Sequence, residues 1–234
     1  MDDPFAKWDS WLGAIHDEAL ALHRNRGIFW GVQGMIRLNP SLHRPSSFYG
    51  FLGSVYSQAS VIAIRRQAED NKQSISMARL LREMSEHPSF LTRARFRAMY
   101  PEKETVIVYE PNGAHAEEMD LGIADEDFNR FAAPGAETID PGIVRKDRES
   151  LEQKAAICSD YADQRVAHYD TKPTAATPKF QDVNEAIDLL GEFVKKYFLL
   201  FRATGITSLD PVFQGDWRAI FREPWIKPAG SEVF

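Results

Sequence analysis

Apolar residues near the start of the chain recur at steps of three and four: Phe5, Trp8, Leu12, Ile15, Ala19 and Leu22 form one stripe of an amphipathic helix. Asp3-Pro4 opens that helix, because Asp can accept from free amides and Pro at the first position gives up no needed donor. The pattern predicts helices over about 4 to 26 and 28 to 38, broken near Gly27, with His16 and His23 off the stripe on the surface. Ser46 then caps a helix over 46 to 69, whose stripe of Phe48, Phe51, Leu52, Val55, Ala59 and Ile62 should face the core. A further helix covers 74 to 86 with Ile75, Met77, Leu80, Leu81 and Met84 apolar and His87-Pro88 closing it. Arg93, Arg95 and Arg97 follow on a short basic helical piece, read either as a solvated face or as a track for an RNA backbone.

From Pro101 to Pro141 regular spacing is lost. Thr105 to Tyr109 is β-branched and reads as an isolated extended piece, while Pro111-Asn112-Gly113 and Pro134-Gly135 interrupt, with one short helix near Asp125 to Phe131. This stretch, about 101 to 140, is expected to be an irregular arm: a lid, a partner arm or a mobile insertion. Asp140-Pro141 repeats the opening device of the first helix and starts another over 141 to 160. The strongest helix, 179 to 203, carries Val183, Ile187, Leu190, Val194, Phe198 and Phe201, and Gly205 stops it. Trp217, Ile220, Phe221 and Trp225 make the tail too apolar to hang free, so it should pack back onto the helices. The expected architecture is all-α: one helical bundle domain over 1–234 with an irregular insertion.

Composition changes this picture little. A length of 234 residues, 44% hydrophobic and 26% charged, suits a globular chain with a real core. The formal charge of -6 disfavours a surface that coats long nucleic acid and leaves room only for a local basic cleft. One cysteine, Cys158, excludes an internal disulfide framework and makes a cysteine zinc site implausible. The amino terminus lacks the pattern of a secretory signal, and no run of about eighteen apolar residues occurs, so the expectation is a cytoplasmic protein with no membrane partner.

Groups able to move protons are densest between Tyr161 and Asp170. Arg165 and His168 are three apart, on one face if the stretch is helical, with Asp163 and Asp170 beside them. That is either an anion-plus-proton site or a solvated helix end. Arg65 and Arg66, just past the stripe of the 46 to 69 helix, are either a self-neutralised end with Glu69 and Asp70 or cations aimed into a shared cleft. Asp163, His168 and Asp170 were weighed as ligands for a divalent ion, but three such residues in a charged stretch are a weak signal, and the expectation is no metal. No phosphate loop, dinucleotide fingerprint, His-Glu-x-x-His or Gly-x-Ser-x-Gly is present, and no cofactor is expected.

Arg165-Val166-Ala167-His168-Tyr169-Asp170 resembles the Arg-x-x-Ala-His-x-Asp segment of HEPN-superfamily helical proteins. Ala63-Ile64-Arg65-Arg66, Ser74-Ile75-Ser76 through Leu80-Leu81, and Trp217 to Phe221 with Pro224-Trp225 are similar, in order, to the branch associated with abortive infection of the U type. The resemblance implies an all-α bundle, usually a homodimer, among relatives many of which are metal-independent endoribonucleases in phage defence or toxin–antitoxin systems. It implies His168 as the proton carrier, and Arg165, Arg65 or Arg66 as the cation that steadies charge on an RNA phosphate, with Asp163 and Asp170 in support. The family signature sets an Arg with four to six residues between it and the His, and at those positions this chain has Tyr161, Ala162 and Asp163. Two functions follow: an RNA-cleaving effector, or a non-catalytic protein acting through dimerisation, an antitoxin or another protein partner, with Arg165, His168 and Asp170 kept as a polar network.

Overall fold

Asp3 Oδ1 accepts from Phe5 N at 3.0 Å, and from there α1 (Phe5–Leu38) runs 34 residues without a break. The computed structural model describes residues 3–111, 113–119, 122–167 and 176–225. After α1 come α2 (Ser47–Ala68), α3 (Met77–Glu86), α4 (Arg93–Arg97), strands β1 (Glu104–Glu110) and β2 (Gly113–Met119), α5 (Ile123–Phe128), α6 (Pro141–Tyr161) and α7 (Phe180–Arg202). A π-helical turn, Ala162–Ala167, continues α6. The fold is mostly helical, as the periodicity predicts, and among the described residues no helix is long and apolar enough to cross a membrane.

Capping residues set most of the starts. Ser46 Oγ accepts from Phe48 N at 3.2 Å, Ser76 Oγ from Arg79 N at 3.1 Å, and Asp140 Oδ1 from Gly142 N at 2.7 Å with Pro141 at the first position. The stripe of α1 lies in the core as expected: Trp8, Leu12, Ile15, Ala19 and Leu22 are buried. They share one core with the inner faces of α3 (Met77, Leu80, Leu81, Met84), α6 (Val144, Leu151, Ala155, Cys158) and α7. With Val183, Ile187, Leu190, Val194, Tyr197, Phe198 and Phe201 all buried, α7 is the apolar centre of the fold.

Four expectations change. Gly27 does not break α1, because it and Gly31 clear a slot for the tail. A Cβ at Gly27 would stand 3.2 Å from Pro211 Cγ, and one at Gly31 only 2.7 Å from the Trp217 ring, so the absent side chains admit the returning chain. Gly205 does not stop α7 either: Ala203 takes the left-handed conformation, φ 47°, and its N–H donates to Leu199 O.

The arm at 101 to 140 is not irregular. β1 and β2 form an antiparallel hairpin in which Glu110 pairs with Gly113, and Gly113 carries φ 139°; this glycine, read as an interruption, opens the second strand instead. The remainder of the arm is tied to the bundle by Arg93. That residue, read as a solvated face or an RNA track, is buried, because its guanidinium donates to Ala136 O, Asp125 Oδ1 and Asn129 Oδ1 of the segment from 125 to 136.

The fourth change concerns α2. Its predicted core stripe is largely uncovered: Phe48, Phe51, Val55 and Ile62 are 46%, 59%, 50% and 40% exposed, and Ala59 is exposed as well. The helix instead turns Tyr56, Ser60, Val61, Ala63, Ile64 and Gln67 inward.

Candidate functional site

The C-terminal end of α2 and the π turn meet at a pair of opposite charges. Arg65 Nε contacts Asp163 Oδ1, and Arg65 Nη1 lies 3.3 Å from Glu69 Oε2. The extra residue per turn of a π segment re-aims side chains relative to a continuing α-helix, and such turns are frequent at functional sites. Ala162 fixes the start of the turn in the core, Asp163 reaches toward α2, and Arg165 sits half-buried in the same turn. Gln164 Oε1 is buried without a hydrogen-bond partner among the described residues. The structure brings Arg65 and Asp163 together, and Arg165 lies two residues further along the same turn. His168 and Asp170 lie outside the described residues.

Arg66 points elsewhere. Its Nη2 contacts Glu18 Oε1 on α1, and Gln67 Nε2 donates to the other oxygen of the same carboxylate. Gln67 Oε1 in turn accepts from Met77 N at 3.0 Å, so Glu18 and Gln67 lace α1, α2 and α3 together. Both arginines read as phosphate-binding cations are therefore matched with carboxylates of the same chain. Because Arg65 and Asp163 are 34% and 50% exposed, their attraction is screened by water, and an RNA phosphate could displace the carboxylate at small cost.

Cys158 contributes no nucleophile. Burial first, then the charge of Asp182, pushes its thiol up to about 12, and a protonated, enclosed thiol is inert.

A second His–Arg pair was missed by the sequence reading, which set His23 on the surface. His23 is 8% exposed, and its Nδ1 lies 3.1 Å from Arg26 Nη2, so Nδ1 accepts and the ring proton is assigned to Nε2. Nε2 is buried without a partner, facing Gly191 of α7, where a Cβ would approach to 2.8 Å. Arg26 Nη1 also holds Asp188 Oδ1 at 2.5 Å, and Asp210 from the tail stands 3.7 Å from Nδ1. The signal was present: His23 follows Leu22 at the fifth position of the heptad begun by Ala19, which widens the α1 stripe to the breadth of a core-facing helix.

Burial, then the charge of Arg26, pushes the His23 imidazole below its ordinary value, against the opposing effect of Asp210 and Asp188. The ring is neutral in the fold and charges more readily when unfolded. Its contribution to stability is intact above the ordinary His value of about 6.5 and is lost as pH falls toward the lower folded value. Urea unfolding at about pH 7.5 and about pH 5.5 should show a larger loss for the native chain than for His23→Gln. Equal losses in the two proteins would remove His23 as an acid-sensitive group.

Compared as a whole, the chain matches no family model, no curated protein and no solved structure.

Proposed function

We propose that this chain is a HEPN-like cytoplasmic protein of the phage-defence or toxin–antitoxin type that acts by assembly, as a homodimer joined through α2. The observation that carries this reading is the uncovered stripe of Phe48, Phe51, Val55 and Ile62. Its spacing of three and four residues is what two helices need to interlock, and from Phe48 to Ile62 it runs about 21 Å. Phe48 also borders a groove shared with Leu42 and the tail aromatics Phe221 and Trp225, which extends the stripe past the helix end.

Half-exposed aromatics offer on the order of 100 Å² each, so stripe and groove together present on the order of 700 Å² per copy, close to what one side of a stable interface buries. A stripe on one helix meets its own copy across a two-fold axis without needing a second, different patch.

A second reading, a metal-independent endoribonuclease acting on RNA, is favoured by a separate observation. The π turn carries Asp163 to Arg65, with Arg165 on the same turn, immediately ahead of His168 in the chain. In that reading Arg65 exchanges Asp163 for a phosphate and His168 carries the proton.

Sedimentation equilibrium and incubation with total cellular RNA separate the two. A dimer at micromolar concentration that leaves RNA intact is the expected result. A monomer at every concentration ends the assembly reading. RNA turnover that disappears in His168→Ala while the thermal midpoint stays in place establishes the enzyme.

A further inference from the structure

Lys7 on α1, Lys72 in the turn between α2 and α3, and Arg79 and Arg82 on α3 line an open cavity of about 400 Å³. Two carboxylates, Glu83 and Glu86, share it. Glu83 Oε2 accepts from Lys7 Nζ at 2.7 Å and from Trp8 Nε1 at 2.9 Å, while Arg79 Nε lies 3.2 Å and Arg82 Nη2 4.0 Å from Oε1. One carboxylate therefore serves three cations. Burial alone would push the Glu83 carboxyl up, but the hydrogen bonds from Lys7 and Trp8 and the charges of Lys7 and Arg79 outweigh it and hold the group below its ordinary value. Arg82 also reaches Glu86 at 2.8 Å and Asp70 at 2.9 Å behind it, and Asp70 is shared with Arg148 at 3.9 Å. Lys72 has no ion pair or hydrogen bond among the described residues.

Four cations stand against Glu83 and Glu86 on the wall and Asp70 behind it, which leaves one positive charge in excess, on a chain whose formal charge is -6. That charge, set among the convergent donors of Lys7, Lys72, Arg79 and Arg82, suits an anion with several acceptor oxygens. Two of the cations are already held in place: Arg79 lies over the Trp11 ring at 4.2 Å and Lys7 at 4.7 Å, so little side-chain freedom remains to be lost on binding. Planar guanidinium groups fit two phosphate oxygens at once, and ammonium groups supply the remaining charge.

We infer that this cavity binds a phosphate monoester, the group carried by a nucleotide or by the phosphorylated end of an RNA strand. A backbone phosphodiester offers two unesterified oxygens where a monoester offers three, and so satisfies these donors only in part. The volume accepts the phosphate together with a nucleoside-sized substituent. None of the residues that line it belongs to the α2 stripe.

Calorimetric titration of the full chain tests this with four probes: inorganic phosphate, adenosine 5′-monophosphate, and one short RNA bearing either a 5′-phosphate or a 5′-hydroxyl. The phosphorylated RNA should bind at least about tenfold more tightly than its hydroxyl twin. Lys72→Met should weaken every phosphorylated probe about tenfold while leaving the thermal midpoint unchanged, because Lys72 holds nothing in the free protein. Inorganic phosphate binding as tightly as the nucleotide would support the site and assign it to the free anion. Absence of heat with all phosphorylated probes at millimolar concentration, equal affinity for the two RNAs, or an unchanged affinity in Lys72→Met would each overturn the inference.

Discussion

Replacing Arg93 by Ala should cost about 3–5 kcal/mol, a large share of the stability of a domain this size. The side chain is buried, and its guanidinium is spent on several partners at once. Nε donates to Ala136 O at 2.8 Å, Nη1 to Asp125 Oδ1 at 2.9 Å, and Nη2 to Asn129 Oδ1 at 2.9 Å and Ala133 O at 3.3 Å. The guanidinium carbon also sits 4.7 Å from the centre of the Phe128 ring. Truncation strands these acceptors in a space water reaches poorly, and the penalty is desolvation left unrepaid.

The loss reaches the core, because the segment that Arg93 gathers carries Phe128, Phe131 and Ile139 inward. Phe128 packs on Phe96 with ring centres 5.6 Å apart, and Phe131 on Tyr197 at 6.2 Å. Arg93→Lys should recover less than half of the loss, since an ammonium cannot span a fork of acceptors. Urea unfolding of both variants measures it, and a loss under about 1 kcal/mol for Arg93→Ala would mean that the segment is held by its apolar residues alone.

Arg93 also shows where sequence reading reached its limit. Alternating arginines around Phe96 look like a solvated helix face, because the acceptors that bury Arg93, backbone carbonyls together with the Asp125 and Asn129 side chains, lie more than thirty residues away with no spacing that ties them to it. The stripes of α1 and α7 were legible since each is covered by this chain's own helices. Gly27 was read as a break because a sequence cannot distinguish a glycine that loosens a helix from one that makes room, here for Pro211. The hairpin was half legible: Thr105 to Val108 favours a strand, but its partner Gly113 to Met119 reads Gly-Ala-His-Ala-Glu-Glu-Met and has no β-branched residue.

At the candidate site Arg65 meets Asp163, whereas Arg66 departs toward Glu18. No periodicity could foresee that, because adjacent residues on a helix point about 100° apart and which one faces the cleft depends on how the helix is rotated.

The rotation of α2 matters most for what the protein does. Periodicity states that a face is apolar and leaves open what covers it, so the stripe at Phe48, Phe51, Val55 and Ile62 was assigned to the core when the chain's own core takes Tyr56, Val61 and Ile64 instead. If a second copy covers the stripe, the double variant Phe51→Glu, Val55→Glu should lose the dimer altogether. Two-fold symmetry puts four carboxylates into one apolar seam, each needing desolvation with no cation opposite, and several kcal/mol per copy is expected, a shift in Kd of about a thousandfold or more. The monomer itself should be unharmed, since both positions are at least half exposed and leave the inward face of α2 as it was. Sedimentation equilibrium of the variant with a helical signal and unfolding midpoint like those of the native chain is the expected pair of results. A variant that remains dimeric would place the interface elsewhere. One that unfolds would show that the stripe is covered by this chain's own residues, leaving the dimer without a surface.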